Sequence, residues 1–196
     1  ISPLAGDASM RKYLRLGPGK DGRIAVLMDA DPSLGNDVRP FQKITDFLRS
    51  LNLSAPEIYE ADQKNGLLII EDLGDALFAR VVLENPKSEL PLYEAATDLL
   101  FQIHQAPAPT LTKYDAETMT TMAALAFDWY QLGAQDQVDT SARSEFTNAF
   151  SKSLKSEISQ PSVLIQRDYH AENLLWLPDR IGNARVGLLD YQDAQL

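Results

Sequence analysis

Cysteine is absent from the 196 residues, which excludes disulfides, thiolate catalysis and Cys-held zinc or iron–sulfur centres. Histidine occurs only as His104 and His170, too few for a His-rich metal site. Apolar runs are short, such as Leu67–Ile70 and Ala123–Phe127, whereas a bilayer-spanning helix takes about 20 residues. No signal-peptide pattern is visible either. Positive charge is scarce: 18 Lys and Arg face 28 Asp and Glu, a formal net charge of −10. With no cationic block, the chain is a poor nucleic-acid binder and a poor ligand for anionic membranes. Any phosphate chemistry must therefore rest on a local cationic pocket or a metal ion. The expectation is a cytoplasmic protein with no nucleic-acid and no membrane partner, whose oligomeric state the sequence leaves open.

The rest of the composition is ordinary for a globular protein, with 44% hydrophobic and 23% charged residues. The chain is long enough to bury a core as one domain or two lobes sharing a site. It starts at Ile1 rather than an initiator Met and stops three residues after Asp193, so a fragment at one or both ends is expected. Residues 1–74 read as strands plus one helix. Met10, Lys12, Leu14 and Leu16 alternate with Arg11, Tyr13 and Arg15, as in a strand with one wet face. A second strand over Ile24–Met28 pairs with it as a hairpin, and a third spans Leu67–Ile70. Phe41, Ile44, Phe47, Leu48 and Leu51 recur at helical spacing after Pro40. Residues 75–196 turn helical. One amphipathic helix carries Leu92, Ala95, Ala96, Leu99, Leu100 and Ile103. A second stripe runs through Met119, Met122, Ala126 and Trp129, with the methionines in a core. A third runs through Phe146, Ala149, Phe150, Leu154 and Ile158. Three short strands finish the chain, over Val163–Ile165, Leu174–Leu177 and Val186–Leu189. Function is expected in the cleft between two such lobes, with Glu71–Gly74 as the hinge.

The segment Gln166-Arg167-Asp168-Tyr169-His170-Ala171-Glu172-Asn173 lies between two strands, and Asp190 ends the strand beyond them. Two carboxylates and one amide oxygen delivered from adjacent strand ends are a hard oxygen set suited to Mg²⁺. Phosphoryl transfer needs a carboxylate at the attacking hydroxyl and metal ions at the nucleotide phosphates. Asp168 suits the first role; Asn173 and Asp190 suit the second. A bare D-x-x-x-x-N is weak by itself, since Asp168 also fits a turn former and Asn173 a turn cap. The ordered set of strand, loop, strand, turn, strand and Asp favours the catalytic reading.

Gln166–Asn173 resembles the catalytic loop of the aminoglycoside-phosphotransferase-like kinases, a branch of the protein-kinase-like fold. Leu188-Leu189-Asp190-Tyr191-Gln192-Asp193 resembles their magnesium motif. Three stretches look more narrowly like the bacterial N-acetylmuramate/N-acetylglucosamine anomeric kinases: Leu4–Ser9, Leu67–Asp75 and Arg167–Pro178. The resemblance implies an α+β, protein-kinase-like two-lobed fold. Residues 1–74 would form a small N-terminal nucleotide-binding lobe of sheet. Residues 75–196 would form a mostly helical C-terminal lobe, incomplete at its end. It implies ATP and Mg²⁺ as cofactors and transfer of the γ-phosphate to a hydroxyl, that of an amino sugar. An aminoglycoside, choline or an amino acid would be the acceptor in other members of the superfamily, and a non-catalytic nucleotide-binding module is the different-class alternative.

By position, Gly6, Asp7, Ala8 and Ser9 match the turn over the nucleotide phosphates, and Glu71, Asp72 and Leu73 match the hinge whose backbone binds adenine. Asp168 matches the catalytic carboxylate; Asn173 and Asp190 match the metal ligands. Gln166 departs from the usual His of the loop. Met28 stands near the usual strand lysine, with Lys12, Arg11 and Lys43 as replacements for its charge. Asp128, beside Trp129 and Tyr130, and His170 in the loop are candidate substrate contacts. Trp129 fits a helix core equally well, His170 fits a purely structural loop role, and His104 suits a cap or a core.

Overall fold

The computed structural model describes residues 1–4, 10–19, 22–157 and 163–196. Two compact units emerge: Ile1–Pro107 with Gln166–Ala194, and Ala108–Ile165 with Gln195–Leu196. The expected division after residue 74 falls inside the first unit, because later strands pair back onto it.

The first unit is built on an antiparallel sheet of β1 (Ser2–Pro3), β2 (Lys12–Leu16), β3 (Ala25–Asp29), β4 (Ile58–Asp62) and β5 (Leu67–Glu71), in the order β1-β2-β3-β5-β4. Neither β1 nor β4 is among the strands expected from sequence. β1 is two residues long, and β4 carries an irregularity between Ile58 and Glu60 that breaks its alternation. Cross-strand partners share a face, and here they revise the reading of β2. Arg15 pairs with Val26 and Tyr13 with Met28, and both Val26 and Met28 are buried. The Tyr13/Arg15 face, which alternation marks as wet, is thus the inner face. Met10, expected with the apolar set, is exposed.

α1 (Arg39–Ser50) begins with Pro40 in its first turn, and the Asp37 carboxylate accepts from the Arg39 N–H at 2.9 Å. It buries Phe41, Ile44, Thr45 and Leu48; Phe47 is half-buried, so Thr45 shares the inner stripe instead. Gly66 turns β4 into β5 at φ +69°, and a Cβ there would lie 2.1 Å from the Ala30 carbonyl oxygen. Gly66→Ala therefore meets a backbone clash as well as left-handed strain. We expect a loss of about 3 kcal/mol and a fall in Tm of roughly 10 °C. An unchanged Tm on thermal unfolding would contradict this packing.

α2 (Phe78–Glu84) and α3 (Glu89–Gln105) come next; α3 buries Leu92, Ala95, Ala96, Leu99 and Ile103 as its periodicity predicts. α2 lacks a signal of its own because it is short and buries only Phe78. The hairpin of β6 (Leu174–Trp176) and β7 (Val186–Leu188) completes the unit. It docks through bridges from Leu175 to Leu77 and from Gly187 to Ser54. Phe78 packs edge-on against Trp176 and Tyr93. The strand expected over Val163–Ile165 shrinks to a single bridge between Ile165 and Gln195.

The second unit holds α4 (Ala116–Leu125), a π-helical turn over Ala126–Gln131, α5 (Leu132–Gln135) and α6 (Thr140–Glu157). Asp115 caps α4 by accepting from the Thr118 N–H. The π turn rotates side chains out of the α-helical register. Thr120 and Ala124 are buried, while Met122, Ala126 and Trp129 are exposed. The core stripe expected through those residues is thus broken. Phe127 packs on Phe146, and Phe146 stacks on Phe150. Ile158 lies outside the described residues. No helix among the described residues is long and apolar enough to cross a membrane.

Candidate active site

A cleft of about 340 Å³ opens within the first unit, lined both by Glu71–Asp75 at the end of β5 and just beyond it and by Asn173 and Asp190. Backbone geometry sets the two ligand candidates. The loop enters through Arg167 at φ +69°, and Asp190 follows the last strand, β7, at φ +53°. Left-handed conformations at non-glycine residues cost on the order of 1–3 kcal/mol and persist where surrounding contacts enforce them. The contacts here are explicit. The Asp168 N–H donates to the Gln166 carbonyl at 2.9 Å, and the Asn173 N–H to the His170 carbonyl at 2.9 Å. The Leu189 N–H donates to the Asn173 carbonyl at 3.0 Å, which clips the loop to the residue preceding Asp190. The Tyr169 hydroxyl donates to the Ala96 carbonyl of α3 at 2.8 Å, and burial pushes its pKa up.

Asn173 donates its amide N–H to the Asp168 carbonyl at 3.0 Å and approaches His170 Nε2 at 3.2 Å. Its nitrogen is thus used on the loop, and its oxygen is left for a ligand. Gln192 Nε2 donates to one Asp190 oxygen at 2.6 Å, leaving the other. One amide oxygen and one carboxylate oxygen on the same cleft fit Mg²⁺, which takes one or two protein oxygens and completes its shell with phosphates and waters. Among the described residues no three His, Asp or Glu side chains gather as a self-sufficient metal cage. Asp168 is exposed and is not among the residues lining the cleft. His170 serves the loop: its Nδ1 accepts from the Glu172 N–H at 3.3 Å.

Asp190 is also held from behind. The next side chain, Tyr191, is fully buried, stacks on Phe41 at 5.2 Å and shares a 2.7 Å hydrogen bond with the Thr45 hydroxyl. Burial pushes the Tyr191 hydroxyl pKa up. The fold therefore ties the Asp190 segment directly to α1, a link no local pattern indicates.

At the other end of the cleft, the carboxylates after β5 are already committed. Arg180 donates to Glu71 at 2.6 Å and to the Ser54 hydroxyl at 2.7 Å. Arg15 of β2 grips both Asp72 and Asp75. What this segment offers a ligand is therefore backbone. Leu73 makes no backbone hydrogen bond among the described residues, so its N–H and C=O are among the donors and acceptors left there. Gly187 lies beneath it, where an added Cβ would come within 3.2 Å of the Leu73 side chain.

Gly6, Asp7, Ala8 and Ser9 lie outside the described residues. Met28 is 1% exposed, in the core. Lys12, Arg11 and Lys43 are not lining residues; the cations at the cleft are Arg15 and Arg80. Sequence reasoning missed both, although the two Asp residues flanking Gly74 were a signal that a cation faces them. Gln166 is buried with its Nε2 unpaired among the described residues. Asp128 belongs to the second unit, where Arg143 holds both its oxygens at 2.9 Å and keeps its pKa low. The neighbouring Trp129 and Tyr130 are 75% and 79% exposed, which removes the core role open to Trp129. His104 is exposed in the last turn of α3, so it is not a core residue.

Residues 1–196 match the profile of the phosphotransferase enzyme family. N-acetylmuramate/N-acetylglucosamine kinase of Caulobacter vibrioides is 36% identical across 98% of this chain and 62% of its own length. The protein of the same name from Pseudomonas aeruginosa is 33% identical across 99% of this chain and 55% of its own length. The chain thus spans a little over half the length of these relatives. Among solved structures, the streptomycin–ATP–APH(2")-IIa ternary complex superposes with a TM-score of 0.57 at 14% identity, covering 93% of this chain and 66% of that one. A Plasmodium vivax ethanolamine kinase does so with a TM-score of 0.59 at 14% identity, covering 98% and 55%. These neighbours share the α+β, protein-kinase-like fold. With a profile match that runs across all of residues 1–196, the chain belongs to the phosphotransferase enzyme family.

Proposed function

We propose that the protein is an ATP- and Mg²⁺-dependent small-molecule kinase acting on the anomeric hydroxyl of N-acetylmuramate or N-acetylglucosamine. The observation that carries this reading is the single cleft shared by the backbone after β5 and by Asn173 and Asp190. In the proposal, Glu71, Asp72 and Leu73 bind adenine through their backbone, and Gly6–Ser9 approach the phosphates with backbone N–H groups. Asn173 and Asp190 hold Mg²⁺, which, when bound, offsets the charge on the phosphate oxygens.

Asp168 orients the acceptor hydroxyl and takes its proton as that oxygen bonds to the γ-phosphorus. The bond from the γ-phosphorus to its bridging oxygen breaks, and ADP leaves. An anomeric hydroxyl is more acidic than an ordinary alcohol, so the exposed Asp168 acts more as a positioner than as a strong base. The names of the two bacterial relatives support the choice of sugar. With the Asp128 carboxylate held by Arg143, Trp129 and Tyr130 present exposed aromatic faces of the kind that sugars take, and His170 is a further candidate substrate contact.

The test is a phosphorus NMR screen of the full-length protein with ATP, Mg²⁺ and a panel of hydroxyl acceptors. A sugar 1-phosphate, recognised by its phosphorus–proton coupling, is the expected product. A 6-phosphate, or phosphate on an aminoglycoside with amino sugars ignored, would overturn the acceptor. ATP binding with no turnover on any acceptor would favour a non-catalytic module.

A further inference from the structure

The Arg15 guanidinium is committed along its whole edge. Nε and Nη2 donate to the two Asp72 oxygens, and Nη1 and Nη2 donate to the two Asp75 oxygens at 2.9 and 3.0 Å. The bridge runs from a sheltered carboxylate to an open one: the Asp72 side chain is 10% exposed, Arg15 26% and Asp75 61%. It therefore sits along the solvent edge of the cleft, joining β2 to the segment after β5. These bonds hold the Asp75 pKa down and the Arg15 pKa up.

One cation shared by two carboxylates leaves no surplus positive charge, and four of its five in-plane N–H donors are spent. Arg15 is thus a poor substitute for the lysine absent at Met28, because a phosphate would have to displace carboxylates already in place. It also lies two residues along β2 from Tyr13, the partner of Met28, on the side of the Ala25–Glu71 pair where β5 ends. These bonds lie in the guanidinium plane and leave its flat faces unused, and such faces take aromatic rings. The same cleft is lined by the buried Leu73 and Leu175 and by Val26, apolar surfaces that suit a planar ring.

We propose that Arg15, clamped edge-on by Asp72 and Asp75, forms one wall of the base site and stacks on the purine ring of the nucleotide. The inference rests on the kinase reading of this cleft and adds a residue to it. The test is calorimetric titration of the full-length protein with ATP and, separately, with inorganic tripolyphosphate, both with Mg²⁺. Arg15→Ala is expected to weaken ATP roughly tenfold and to leave tripolyphosphate within about twofold, since only ATP carries a base. Arg15→Lys, which keeps the charge but not the plane, should lose nearly as much. Asp75→Asn, which leaves Asp72 to hold the guanidinium, should lose less than about threefold. Equal weakening of both ligands by Arg15→Ala would mark a general structural tie and overturn the proposal. So would ATP affinity equal to wild type in Arg15→Ala, or full retention in Arg15→Lys. Wild-type protein that binds no ATP would instead bring down the kinase reading, and this inference with it.

Discussion

Asp168→Asn in the full-length protein is expected to lower kcat for amino-sugar phosphorylation by roughly 10³-fold while leaving the nucleotide dissociation constant within about twofold. The substitution keeps the size of the side chain and removes the ability to take a proton. It spares the loop, because the hydrogen bonds that hold residue 168 run through its backbone: its N–H to Gln166 and its carbonyl from Asn173. The side chain itself is exposed and makes no hydrogen bond among the described residues, so Tm should not move. The split between kcat and nucleotide binding is the signature of a group acting on the acceptor rather than on ATP. Turnover near the wild-type rate would refute the role assigned to Asp168.

Replacing Asp190 should act on the other half of the reaction. Two variants separate ligand loss from backbone strain. Residue 190 sits at φ +53°, a conformation Asn tolerates and Ala resists. Asp190→Asn therefore keeps the local fold and removes one negative charge from the proposed metal site. It is expected to weaken Mg²⁺-dependent ATP binding by at least about tenfold and to cut turnover by roughly 10²-fold or more. Asp190→Ala should match those losses and also lower Tm, since it adds left-handed strain and strips the partner from Gln192. Titrations of ATP with and without Mg²⁺ decide the matter. If Asp190→Asn binds ATP with the wild-type Mg²⁺ dependence, residue 190 is not a metal ligand.

The parts of this molecule that local chemistry controls were legible from the residues. The spacing of Leu92, Ala95, Ala96, Leu99 and Ile103 sufficed for α3, because a 3.6-residue period with one apolar stripe has one good solution beside a core. The Asp168–Asn173 loop and Asp190 stood out only as an ordered set of strand, loop, strand, turn, strand and Asp, because Asp and Asn at strand ends also serve as turn formers and caps. Short elements escaped: β1 has two residues and α2 buries one side chain, so neither carries a period to detect. The π turn escaped because it leaves composition unchanged and only rotates the side chains, exposing Trp129.

Long-range pairing decided the rest. Alternation by itself separates the two faces of β2 but does not say which one meets the cleft; the pairing of Arg15 with Val26 and Tyr13 with Met28 does. Arg15 meets Asp72 and Asp75 across 57 and 60 positions of chain, and Tyr191 meets Thr45 across 146. No local rule reaches such distances. Which residues are chemically able to bind a metal or take a proton can be read from the chain alone, since those properties belong to side chains. Which cations stand at the cleft and what anchors Asp190 depend instead on strand register and on packing between elements far apart in the chain.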